Sequence, residues 1–186
     1  ELLRKLGSAA LGHHTLNLIL QASGLMMPLI VTAVLSARMN AYFYTSWMIA
    51  SFAAVAPVAL TTVLYAVGAS DPAALAIKIK LTLRLSTLAG VMASIALLFG
   101  ADLVLGLFKA SYAEQASLSL RILGLAVFPL IIKNHYVTIC RIYGRVTSTA
   151  LWMVAAGLLE LTLAATSARL GGLTGLSLGW VIAMCI

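Results

Sequence analysis

The residues able to do chemistry in this chain are few, and most lie in apolar surroundings. Lys133, Asn134 and His135 are consecutive, Arg121 precedes them, Glu160 follows, and Asn17 and Gln21 sit one helical turn apart near the start. An ammonium or guanidinium in such surroundings suits an anionic ligand. Two amides must find partners or water, and a lone carboxylate suits an ion pair or proton transfer. No catalytic constellation accompanies them: there is no serine elbow, no glycine-rich phosphate loop and no acid pair at a useful spacing. The residues therefore read as a non-enzyme without cofactor or metal. Cys140 and Cys185 are isolated thiols at a spacing that fits neither a metal site nor a redox pair, and both are expected to be buried and free. His13 and His14 precede the first apolar run and are expected at an interface.

The elements that must carry these residues are membrane spans. Of 186 residues, 62% are hydrophobic and 9% charged, far from the balance of a soluble domain. No Asp, Glu, Lys or Arg occurs from Thr15 to Ala37 or between Met39 and Ser70. At 1.5 Å per residue, about 20 such residues cross a hydrocarbon core of about 30 Å. The net charge of +7 does not indicate nucleic acid, because the basic residues sit in the gaps between apolar runs.

The expected fold is all-α, a polytopic transmembrane bundle of about six spans. They run over about 15–36, 41–69, 81–100, 118–140, 146–168 and 173–186, with the last cut short. Asp71-Pro72 breaks the chain after the second span, Ala101 to Ala116 reads as an amphipathic connector, and Gly171-Gly172 turns the chain into the sixth. The chain starts at Glu1 and stops at Ile186 within an apolar run, which reads as a piece of a longer protein. Arg4, Lys5, Lys78, Lys80, Arg84, Arg141 and Arg145 fall on one side; Arg38, Lys109, Arg121 and Arg169 fall on the other. This bias favours a cytoplasmic N-terminus. Pro28, Pro57 and Pro129 lie inside spans, where each removes a backbone hydrogen bond and bends or loosens its helix.

Two stripes at steps of three or four mark the first two spans. One is His14, Asn17, Gln21, Gly24, Pro28 and Thr32; the other is Tyr42, Ser46, Ala50, Ala53, Pro57, Thr61 and Tyr65. Each is either a helix-packing seam or the wall of a hydrated cavity. Glu160 lies about 20 Å from the cytoplasmic end of its span, with Arg121 about 28 Å and Lys133 about 10 Å from that same side. Matched depth favours a Glu160–Arg121 pair, with a protonatable carboxylate in a transport path as the alternative. Lys133 either snorkels to the interface or offers its ammonium to an anion.

Three stretches resemble the polysaccharide-flippase branch of the multidrug/oligosaccharidyl-lipid/polysaccharide exporter superfamily. They are AYFYTSWMIASFAAVAPVALTTVLYAVGASD at the second span, LVLGLFKASYAEQASLSLRILGLAVFP around the connector, and RLGGLTGLSLGW before the last helix. The resemblance covers most of Leu11 to Ile186 and implies the second of two six-helix lobes, with an N-terminal lobe of the same chain as partner. It further implies a flippase that moves a polyprenyl-pyrophosphate-linked glycan across the bacterial inner membrane by alternating access. On that reading Lys133, Arg121, His135, Asn134, Asn17 and Gln21 would meet substrate, and Glu160 with Arg121 would couple or pair. Lys109 stands where the family's connector usually has Gly, and Glu160 where it often has Asn, so the class alone carries over and no coupling mechanism. A drug or cation antiporter of the same superfamily is the first alternative, disfavoured by one intramembrane acid against two bases. A membrane-embedded glycosyltransferase or polymerase is the second, with Asp102 and Glu114 as its support, and a scaffolding subunit is the third.

Overall fold

The computed structural model describes the backbone of residues 2–70 and 74–186 and the side chains of 7, 10–68 and 74–186. The Asp71-Pro72 break and the side chains of Arg4 and Lys5 lie outside the described residues. Among the described residues there is no strand. Seven α-helices follow one another among the described residues: α1 (Leu2–Val34), α2 (Ala37–Ser51), α3 (Val55–Ser70), α4 (Leu75–Gly106), α5 (Ala110–Leu125), α6 (Val127–Ile142) and α7 (Val146–Cys185). They form five segments long and apolar enough to cross a membrane: Ala10–Val34, Ala37–Gly68, Leu75–Gly106, Ala110–Ile142 and Val146–Cys185. Leu103, Phe99, Ile77 and Leu151 are among the many large apolar side chains left exposed. In lipid such a surface needs no further cover.

Two spans are broken at their middles, each by a proline. In the second, a short 3₁₀ turn, Phe52–Ala54, separates the 15-residue α2 from the 16-residue α3. Pro57 has no N–H to offer the carbonyl four residues back, at Ala53, and its ring crowds that carbonyl. In the fourth span, α5 ends at Leu125 and α6 starts at Val127, with Ala126 between them. Pro129 acts on Leu125 in the same way. Pro28 has a milder outcome, since α1 continues through it as one helix of 33 residues.

The connector expected over 101–116 is a correction. α4 runs on to Gly106 and α5 begins at Ala110, so only 107–109 are non-helical. Its polar residues Asp102 and Glu114 are exposed on helix ends, and flanking charge does not end a helix that loses no backbone bond. Gly171 and Gly172 do turn the chain. Gly172 has φ +59°, a left-handed conformation that glycine adopts without strain. The 13 residues 173–185 then run back along 160–168, giving a return arm of about 20 Å.

Packing is denser at the end of the bundle that holds this turn. Met27, Val31, Phe43, Leu105, Leu120, Ala164 and Leu176 belong to one buried cluster there. Buried hydroxyls bridge helices within it: Ser177 Oγ donates to Leu173 O at 2.9 Å and contacts Ser119 Oγ, while Ser94 Oγ donates to Gly124 O at 3.0 Å. Such contacts substitute for a hydrophobic drive that lipid cannot supply. Towards the opposite end, where Arg84, Arg141 and Arg145 lie, the helices leave polar space between them.

Candidate functional site

α6 presents Lys133, Asn134 and His135 about 100° apart, because a helix turns once in 3.6 residues. The three neighbours in sequence therefore face three different partners. Lys133 Nζ donates to Glu160 Oε1 on α7 at 2.6 Å, and Glu160 is 1% exposed. The second carboxylate oxygen, Oε2, accepts from Trp180 Nε1 on the return arm at 3.2 Å. Trp180 in turn packs at a tilt of 50° against Trp47 of α2, with ring centroids 4.6 Å apart. The acid thus ties α6, both arms of α7 and, through Trp180, α2.

The expected Glu160–Arg121 pair is overturned. Arg121 Nη2 donates to Asp102 Oδ2 at 2.5 Å and Arg121 Nε to Leu98 O at 3.0 Å, both on α4, along which α5 packs. Matching depths by residue count left out side-chain reach: a lysine's four methylenes and helix tilt close the offset between positions 133 and 160. Snorkelling of Lys133 is overturned by the same contact. Arg121 and Asp102 are 32% and 59% exposed. An exposed pair of this kind contributes at most about 1 kcal/mol. Asp102→Asn is accordingly expected to shift unfolding by less than that, as a denaturant titration in detergent would measure.

His135 is buried between α6 and α4. Its Nδ1–H donates to Ile131 O at 2.8 Å and its Nε2 lies 3.2 Å from Thr82 Oγ1. It bonds within α6 and across to α4, apart from the pocket that Asn134 lines. Asn134 does face a pocket, of about 290 Å³, between α1, α3 and α6. Asn17, Thr61, Thr62, Tyr65 and Arg141 line it too, and Arg141 Nη2 donates to Asn17 Oδ1 at 2.6 Å. Gln21 is separate from these, in a groove between α1 and α2 with Gly24, Pro28 and Trp47.

The two stripes have opposite fates. Tyr42, Ser46, Ala53 and Pro57 are buried, which makes most of the second a packing seam, while its end, at Thr61 and the exposed Tyr65, lines the pocket. Asn17, Gln21 and Thr32 are exposed, because α1 turns Leu16, Ser23, Met27 and Val31 inward instead. The first stripe is therefore the open wall of the two clefts. Of the cysteines, Cys185 is exposed, against expectation, since the return arm ends there at the bundle surface; Cys140 is half-buried.

The two mid-span breaks meet. Ala53, Val127 and Ile131 form a small buried cluster, and Trp47, Ala54, Ala126 and Trp180 line a cavity of about 100 Å³ beside it. Residues that sequence reasoning overlooked are Trp180 and Arg141. Arg141 was readable, because Asn134, Thr138 and Arg141 follow one another at steps of four and three. Trp180 carried no such pattern. Among the described residues, no group of His, Cys, Asp and Glu is placed to hold a metal. Compared with known proteins, the chain matches no family model, no curated protein and no solved structure.

Proposed function

We propose that this bundle is one lobe of a membrane transporter, a flippase that moves a polyprenyl-pyrophosphate-linked glycan across the bacterial inner membrane by alternating access. The observation that carries the reading is the pair of mid-span breaks packed on one another. Secondary transporters place their substrate sites near the midplane at discontinuous helices, where loosened backbone can line a cavity and absorb rocking motions. Here α2–α3 and α5–α6 are both interrupted at that level, with Trp180 reaching from the cavity between them to Glu160. The open polar wall of α1, with Asn17 and Gln21, supports a hydrated path for a sugar. Lys133 and Arg121 each already hold a carboxylate, so neither is a free cation for the diphosphate.

With a cytoplasm at negative potential, moving two negative charges outward is favoured by about 4–5 kcal/mol per 100 mV. The potential alone could thus drive export. The test uses cells carrying the full-length protein with Pro57→Ala, Pro129→Ala or both. Restoring continuous helices is expected to lower glycan export several-fold while the protein stays abundant in the membrane. Unchanged export in the double variant would remove the support on which the proposal stands.

A further inference from the structure

We propose that the pocket between α1, α3 and α6 binds a phosphate group, held by the Arg141 guanidinium with the help of Asn17. The inference does not depend on the transport reading. Arg141 lies one residue before the end of α6, within a turn of the bundle's basic end, which is the depth of a lipid headgroup. Its side chain has only part of its bonding capacity used. Nη2 is held by Asn17 Oδ1, whereas Nε is buried and has no hydrogen-bond partner among the described residues.

The charge balance points the same way. The pocket lining includes Asn17, Thr61, Thr62, Tyr65, Asn134 and Arg141, and no acid. The intramembrane acid, Glu160, is taken by Lys133, and Asp102 by Arg121 at the far end of α4. A guanidinium drawn away from water without a counter-charge is costly, and an anion in the pocket offsets that cost. Phosphate fits it better than a carboxylate or halide. The guanidinium fork offers parallel donors to two phosphate oxygens, and the Tyr65 hydroxyl and the Asn17 and Asn134 amides can donate to the others, while the Thr61 and Thr62 hydroxyls are given to Val58 O. Asn17, by holding Nη2, fixes the direction in which the fork opens. A pocket of about 290 Å³ accommodates a phosphate with part of its ester.

The chemistry is shared by an anionic lipid headgroup and a free phosphate, so the experiment has an arm for each. The purified full-length protein in neutral detergent is titrated with phosphatidylglycerol, phosphatidylcholine or inorganic phosphate, and its thermal unfolding midpoint followed. Phosphatidylglycerol is expected to raise the midpoint by several degrees, and phosphatidylcholine, whose phosphate is already paired with choline, by much less. A matching rise with inorganic phosphate assigns the site to phosphate itself; a rise with the lipid alone assigns it to a headgroup. Arg141→Lys, which keeps the charge and loses the fork, should weaken binding about tenfold. Asn17→Asp is the decisive variant. It sets a carboxylate against the guanidinium, so the basal midpoint should rise while the response to both anions is lost. No response in the wild type, or an undiminished response in Asn17→Asp, overturns the proposal.

Discussion

Glu160→Gln is expected to destabilise the folded chain by about 3–5 kcal/mol, the cost of leaving a buried cation without its counter-charge. The amide can still accept from Trp180 Nε1, so the packing of the return arm is largely kept and the loss isolates the Lys133 contact. Lys133→Met should be comparably harmful, since it leaves Glu160 buried with Trp180 as its one donor among the described residues. The double variant Lys133→Met with Glu160→Met should recover most of the loss, because two well-packed apolar side chains carry no desolvation penalty. Reversible unfolding in mixed micelles measures all three. A double variant as unstable as the sum of the singles contradicts this account. The experiment also separates two roles for the acid: a double variant that is stable but fails in transport shows the pair has work beyond holding helices together.

The second large effect is at the hairpin of α7. A methyl group at Gly175 would meet the Ser167 carbonyl oxygen, and one at Gly179 would lie 2.6 Å from Leu163 O and also against the Ser167 side chain. These neighbours are largely backbone and cannot rotate away. Gly175→Ala and Gly179→Ala are each expected to cost about 1–3 kcal/mol, towards the upper end, by forcing the arms apart. Separation also draws Trp180 off Glu160, so near-ultraviolet circular dichroism should report the opening. Gly157→Ala is the internal control. Nothing lies within 4 Å of a methyl there, and alanine favours a helix over glycine by about 1 kcal/mol, so that variant should be neutral or more stable. A loss at position 157 equal to that at 179 would contradict the close-approach account, since neither sterics nor helix propensity predicts any loss at 157.

Much of the helical architecture was readable because bilayer thickness sets a length that a run of apolar residues either meets or misses. The span at 146–168 falls inside α7, that at 15–36 runs only two residues past the end of α1, and the turn at Gly171-Gly172 is where glycine permits one. The failures share a cause. The connector at 101–116 was read from amphipathicity, which describes surroundings and not backbone continuity. The pairing of Glu160 was read from depth, a one-dimensional quantity, whereas an ion pair also requires the right azimuth. Lys133 and His135 are adjacent in sequence but face α7 and α4 respectively, and no count along the chain says which helix stands in either direction.

By itself the sequence determined that this protein is a bundle of membrane helices, that prolines sit inside three of its spans, and that an acid within one of them needs a partner. Those follow from local physics: the water-to-lipid transfer cost of each residue, the missing N–H of proline, and the expense of an unpaired charge in hydrocarbon. Only the tertiary structure decided that Glu160 meets Lys133 and Trp180, that Arg121 meets Asp102, and that Arg141 closes a polar pocket with Asn17, 124 positions away. Partner choice depends on helix rotation and neighbour order, which arise from the summed packing of all the helices and are encoded in no single stretch of them.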